Sequence, residues 1–228
     1  MAELPIIYTV RLDLTDEVRE EFDAWAAGSH IQDLLNAGLL SALRFRSTRG
    51  EPEYMHLYEL PNVELLSTEK YAAVSKNDDT GRKLHHGTLN HSAALYKQEV
   101  AVNVPETPRE FSEPRSMIGG IKSKALATVR MDVSEGDGDE LIRWHKEEHI
   151  PLMMAVDGVV NARLCRRVGE HPVTPCREPG WFSIYELDSL DVLKDPKVKA
   201  ANETEWAKAM HGKTTDVRFS MLERITPP

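Results

Sequence analysis

The chain has 228 residues, with 28 Lys and Arg against 37 Asp and Glu, and a formal net charge of −9. That balance excludes a nucleic-acid binder, which needs a basic face against the phosphates, and a protein that docks on an anionic membrane surface. Hydrophobic content of 41% with 29% charged residues is that of a folded globular protein, and no apolar run reaches the ~18–20 residues of a spanning helix. The start (MAELPIIYTV) lacks a basic region leading into a long apolar core, and two cysteines, Cys165 and Cys176, make neither a disulfide framework nor a CxxC zinc pair. The expected compartment is the cytoplasm.

Tyr8 to Leu14 (YTVRLDL) alternates and carries β-branched residues, which predicts a first strand. Residues 16–36 then place Val18, Phe22, Trp25 and Ala26 at helical spacing, with Gly38 as the stop. Strands are expected over 40–47 and 54–60, a polar helical stretch over 63–85, and a last strand over 92–100. From 105 to 124 the pattern breaks, and Pro105, Pro108, Pro114 and Gly119-Gly120 mark a linker.

Beyond the linker the chain repeats itself. TVRLDL returns as TVRMDV (128–133), Trp25 is answered by Trp144, His30 by His149, Ile31 by Ile150, and Tyr58-Glu-Leu by Tyr185-Glu-Leu. The extra residues of the second copy fall in a Pro- and Gly-rich loop, 171–180. Strands follow over 159–167, 181–187 and 215–224, with helices over 137–156 and 189–210. Residues 1–104 and 125–228 are thus two repeats of β-α-β-β-α-β, the ferredoxin-like order. A four-stranded sheet covered by helices on one face leaves the other bare, and two such repeats bury both bare faces by forming an α+β barrel.

The helix patterns Trp25-x4-His30-Ile31 and Trp144-x4-His149-Ile150-Pro151, each followed by a glycine (Gly38, Gly158) and a strand, resemble the dimeric α+β barrel superfamily in a fused, two-repeat form. Within it, Trp144-His-Lys-Glu-Glu-His149-Ile-Pro is similar to the EthD-like branch. The superfamily includes cofactor-free monooxygenases, polyketide cyclases, muconolactone-type isomerases, and haem-containing dehydratases and peroxidases, so the resemblance speaks for fold more than for reaction. It also implies association of two chains as a homodimer.

Candidate chemistry centres on histidine. His30 and His149 sit late in a helix that faces the sheet, where an imidazole serves as a general base near neutral pH; the structural alternative is a helix-end histidine that bonds a carbonyl. Alternation puts His56 and Tyr58 on one strand face, with Arg44 and Arg46 sharing a face of the neighbouring strand. The apolar residues opposite are expected to meet the helices, which sends Arg11, Arg44, His56, Tyr58 and Tyr96 into the barrel as a set able to hold an oxyanion. Repeat two offers Arg130, Leu164, Arg166, Ser183 and Tyr185 at the corresponding places. Trp25 and Trp144 are further substrate-contacting candidates, as are His86 and His91, which follow the second helix of repeat one. His145-Lys-Glu-Glu-His149 also spells an inverted zincin string, but repeat one has Ala26 and Ser29 in place of its His and Glu, and no third ligand is evident; no metal is expected.

No Gly-rich loop of dinucleotide or phosphate-binding type is present. The expected function is a cofactor-independent acid–base enzyme, a lyase, cyclase or isomerase, acting on a small aromatic or polyketide-like molecule. Two alternatives stand beside it: a cofactor-free or haem-dependent oxygenase, and a non-catalytic binding or stress-response module.

Overall fold

A computed structural model describes residues 4–102 and 120–226; most of the expected linker, 105–119, lies outside the described residues. Repeat one runs β1 (Ile6–Leu14), α1 (Asp16–Trp25), α2 (Ile31–Ala37), β2 (Ser41–Arg49), β3 (Tyr54–Leu60), α3 (Glu69–Asn77), α4 (Asp79–Leu84) and β4 (Thr88–Val102). Repeat two runs β5 (Ala125–Val133), α5 (Gly138–Trp144), α6 (Ile150–Met154), β6 (Val159–Glu170), β7 (Trp181–Leu187), α7 (Pro196–Ala201), α8 (Glu205–His211) and β8 (Thr214–Thr226). The eight strands close into one antiparallel barrel in the order β1-β3-β2-β8-β5-β7-β6-β4. Its seams are the pairs β2–β8 and β4–β6, where an edge strand of one repeat bonds an edge strand of the other. The fold is therefore the expected α+β barrel, tied by backbone hydrogen bonds as well as by packed faces. No helix among the described residues is long and apolar enough to cross a membrane.

Each expected long first helix is interrupted in the same way. A π-helical turn, Ala26–His30 in repeat one and His145–His149 in repeat two, joins the two α-helical pieces. Such turns carry one extra residue, which rotates the following side chains relative to the preceding ones and is frequent at functional sites. In repeat one the turn contains Gly28 at φ −94°, ψ −106°, outside helical geometry.

The barrel interior is a packed core. Ile7, Leu43, Phe45, Met55, Leu57, Phe182, Ile184 and Leu222 meet there, all fully buried. This corrects the expectation that Arg44, His56 and Tyr58 line an interior cavity. The alternation holds, but the apolar set of β2 and β3 turns inward and the polar-aromatic set meets the helices. The reason is physical: a strand lying between a barrel core and a helix layer is covered on both faces, as all seven residues of β3 are, so polarity no longer marks which face is which. Arg11 and Tyr96 do point inside.

One end of the barrel is closed by carboxylates. Glu186 accepts from Arg163 Nη2 (2.6 Å) and Asn161 Nδ2 (3.0 Å) with one oxygen, and from the backbone N–H of Lys122 (2.9 Å) and Ser123 (3.2 Å) with the other. Glu59, its counterpart in repeat one, accepts from Ser41 Oγ (2.9 Å) and the Gly120 N–H (2.8 Å). Together they fasten the chain entering β5 to the barrel floor. Removing the carboxylate strands a buried guanidinium, so Glu186→Ala should cost about 3–5 kcal/mol, a melting temperature lower by roughly 6–20 °C for a chain of this size. Arg166→Ala, which breaks only the surface pair with Glu99, should stay within about 1 kcal/mol. Thermal unfolding of the two variants side by side checks the contrast.

Candidate functional site

A cavity of about 280 Å³ lies between the outer face of the repeat-one sheet and helices α1 to α4. The strands contribute Tyr8, His56, Tyr58 and, near the start of β4, His91; the helical layer contributes Phe22, Trp25, His30 and Asp78. A third wall comes from repeat two, whose Pro- and Gly-rich loop lays His171, Val173 and Thr174 against the opening.

The helix side is organised by Asp78. Its carboxylate takes the Trp25 indole N–H (3.0 and 3.1 Å to the two oxygens) and caps α4 through the Gly81 N–H at 2.7 Å. Gly81 has to be a glycine, because a β-carbon there would stand 2.7 Å from both Asp78 Oδ2 and Trp25 Cζ2. The π-turn brings His30 onto the Trp25 ring, centroids 4.2 Å apart and planes 30° from parallel. His30 Nδ1 is 3.6 Å from Asp78 Oδ2, too long for a hydrogen bond in the neutral state but close enough to hold an imidazolium. Burial lowers the His30 pKa to about 4, against the opposing pull of Asp78. At neutral pH it is a free base.

The sheet side is a chain of hydrogen bonds. Arg44 is held by Asp23 and donates from Nε to His56 Nε2 at 3.2 Å. His56 therefore carries its proton on Nδ1, and that N–H donates to Tyr58 Oη at 3.1 Å. Burial, then the Arg44 charge, push the His56 pKa well below its usual value, so the ring stays neutral. Burial raises the Tyr58 pKa. With its oxygen already accepting from His56, the Tyr58 O–H is left to donate into the cavity. Tyr8 stacks on Tyr58 (5.3 Å, 27°) and on His171 (6.0 Å, 11°). The loop N–H groups of Val173 and Thr174 donate to His171 Nδ1 (3.3 and 3.0 Å), so its Nε2–H faces Tyr71 Oη at 3.3 Å.

The same positions of repeat two are filled. Where repeat one has Ala26 on the helix and His56 on the strand, repeat two has His145 on the helix and Ser183 on the strand, joined at 3.1 Å. Leu164 replaces Arg44, and His145 Nδ1 bonds the Leu141 carbonyl. His149 stacks on Trp144 (4.5 Å, 22°) and lies beside Tyr185 (5.9 Å), repeating the His30–Trp25 stack, and its Nδ1 lies 3.4 Å from the Ala201 carbonyl. Glu148 bonds Trp144 and Thr204. The inverted zincin string is thus spent on packing and hydrogen bonds, and no cluster of three metal-ligating groups occurs among the described residues.

The structure gathers Trp25, His30, His56, Tyr58 and His91 at one cavity, with Arg44 behind them. It places His149, Trp144 and Tyr185 together in the core of repeat two, and Arg11 inside the barrel. Two expected contacts fall elsewhere: Arg166 is on the surface paired with Glu99, and His86 is exposed, its Nδ1 facing the Lys83 carbonyl. Arg166 stands at the exposed end of β6, beyond the buried Ala162 and Leu164, and His86 in the short turn between α4 and β4. Sequence reasoning missed Tyr8, Tyr71, Asp78 and His171. Tyr8 is legible from strand alternation with Val10 and Leu12, whereas His171 reaches the cavity through tertiary folding of a loop that carries no periodic signal.

No family model matches the chain, and no curated relative does. Solved structures do. A crystal structure of an anthrone oxidase-like protein superposes with a TM-score of 0.65 at 13% identity, covering 98% of this chain and 92% of that one. A putative monooxygenase from Lactobacillus acidophilus NCFM gives 0.59 at 14%, covering 97% and 94%. A haem-binding protein from Thermus thermophilus gives 0.57 at 14%, covering 96% and 91%. At such identities the likeness establishes the fold, an α+β barrel also found in a protein named as a chlorite dismutase; the neighbours' names are mostly those of enzymes.

Burial lowers the pKa values of His30, His91 and His149 to about 4 and that of His145 to about 3. Unfolded histidine titrates near pH 6.5, so between those values the unfolded chain binds more protons. Stability is then complete above about pH 6.5 and falls as the pH drops toward 4, by up to about 1.4 kcal/mol per pH unit per histidine. Urea unfolding across pH 4–7.5 should show this slope, and His145→Leu should reduce it by one proton's worth. An unchanged slope in the variant contradicts the assignment.

Proposed function

We propose that the repeat-one cavity is the active site of a cofactor-independent oxygenase acting on a small phenolic or anthrone-type aromatic that carries an acidic C–H or O–H. The observation that carries this reading is the pairing, across one aromatic cavity, of a neutral histidine backed by a carboxylate with a tyrosine whose hydroxyl proton is directed inward. His30 takes the substrate proton on Nε2, and the imidazolium so formed is stabilised by Asp78 facing Nδ1. Tyr58 donates to the oxygen on which the negative charge accumulates, fixed in that role by His56 and Arg44. Tyr8, Phe22 and Trp25 hold the ring and keep water out. The electron-rich anion then meets dioxygen directly. For a methylene substrate, carbon gives up two hydrogens and four electrons to one O2; one oxygen atom ends in the new carbonyl and the other in water.

The names of the structural neighbours, oxygenases and an oxidase among them, support this reading over the lyase or isomerase expected from sequence, which nothing among them favours. The residues of the cavity do not fit a haem. Its volume is near the lower limit of small-molecule sites, roughly 300 Å³, and a tetrapyrrole is larger. The lining guanidinium, Arg82, is engaged with Asp79 and with the carbonyls of Ser75 and Lys76, and Arg44 behind the wall with Asp23, so neither is free for propionates.

With anthrone as probe, an oxygen electrode should record one O2 consumed per anthrone, with anthraquinone as product. His30→Ala should lower kcat about 10²–10⁴-fold, the range for a general base, and Tyr58→Phe about 10²-fold, with the far-UV spectrum of the fold retained. Oxygen uptake that is absent with anthrones and phenols alike, or undiminished in His30→Ala, contradicts the proposal.

A further inference from the structure

Away from this cavity, inside the barrel, a set of donors stands without acceptors. Arg11 and Arg130 are equivalent residues of the two repeats, 0% and 1% exposed, and both face one carboxylate oxygen, Glu178 Oε2. Arg130 donates to it from Nη1 at 2.7 Å, while Arg11 Nε stands 3.6 Å away, beyond hydrogen-bond length. Arg130 Nη2 is taken by the Glu51 carbonyl. Arg11 Nε, Nη1 and Nη2 and Arg130 Nε are left with no hydrogen-bond partner among the described residues. Three hydroxyls share that condition: Thr9 and Thr128, two residues along the same strand faces, and Ser220, opposite Thr128 on β8. All three are buried.

Each of these seven polar atoms can donate, and none is an acceptor alone. The far end of the barrel is different. There the partnerless atoms mix Arg163 Nε and Nη1 with Glu59 Oε1 and Asn161 Oδ1, a set that water, as both donor and acceptor, can complete. At the Arg11 end two cations share one carboxylate, so an uncompensated positive charge is enclosed. Burial and Arg130 lower the Arg11 pKa to about 9 against the pull of Glu178, which still leaves it charged at pH 7. An unpaired buried charge is strongly unfavourable, and what neutralises this one has to accept hydrogen bonds and carry negative charge.

We propose that the barrel interior binds a small monovalent anion of the halide type between Arg11 and Arg130. The size follows from enclosure, since each partnerless atom is almost wholly shielded from solvent. Glu51, whose carbonyl holds Arg130, lines an open depression on the barrel surface together with Arg49 and with Arg218, which is paired with Asp216. The site is independent of the proposed oxygenase activity.

The test is thermal unfolding of the full chain at constant ionic strength, with sodium gluconate replaced stepwise by sodium chloride. Chloride should raise the melting temperature saturably, by roughly 5–10 °C at a hundredfold excess over Kd. Bromide should act alike, and Arg11→Met should abolish the response while keeping the far-UV spectrum of the fold. Crystals grown in sodium bromide should show an anomalous peak within hydrogen-bond reach of the Arg11 guanidinium. Equal melting temperatures in chloride and gluconate, a response that survives in Arg11→Met, or a bromide crystal with no such peak overturns the proposal. If Arg11→Met does not fold, the bromide crystal of the native chain decides alone.

Discussion

Pairing β2 with β8 and β4 with β6 removes both open edges of each four-stranded sheet and seals one face of every strand inside a closed barrel. Open edges are a liability for a sheet in water, and closure solves it without a second chain. It also fixes where a ligand can go. The interior has to be filled, and apolar side chains contributed by both repeats fill most of it. Free volume is left in the layer between the repeat-one sheet and its helices.

A side-chain exchange distinguishes the two repeats. The helix position takes alanine in one and histidine in the other, and the strand position takes histidine and serine. His56 lines the repeat-one cavity, whereas in repeat two His145 bonds Ser183. The Trp–His stack on the π-turn is common to both. In repeat one it borders the cavity, backed by Asp78; in repeat two it is packed. A duplicated motif therefore marks a shared fold element first, and chemistry only where the surrounding volume allows it.

Much of the architecture was legible in the sequence. Paired motifs such as TVRLDL and TVRMDV, with glycines at Gly38 and Gly158, announce a duplication and a strand–helix order that leave few topologies. Alternation grouped His56 with Tyr58 as the structure does. The direction of that face was not legible, because both sides of β3 are buried and hydrophobicity carries no sign there. Nor was the third wall: His171 lies in a loop whose path is set by contacts such as the Ala93 N–H to the Pro175 carbonyl and the Arg177 N–H to Ser92 Oγ. Asp78 hid in a polar helical stretch where any carboxylate looks solvated, and only the closeness of Trp25 and Gly81 shows otherwise.

The central claim is the proposed one, that a small aromatic binds in the repeat-one cavity, where His56 stands on the wall. The direct measurement is calorimetric titration of anthrone, or of a soluble phenolic analogue, into the double variant Ala26→His with His56→Ser, which transplants the repeat-two arrangement into repeat one. The account predicts a protein that keeps its far-UV spectrum and binds at least tenfold more weakly. Binding equal to that of the native chain would contradict it, because the repeat-one cavity would then not be where the ligand sits.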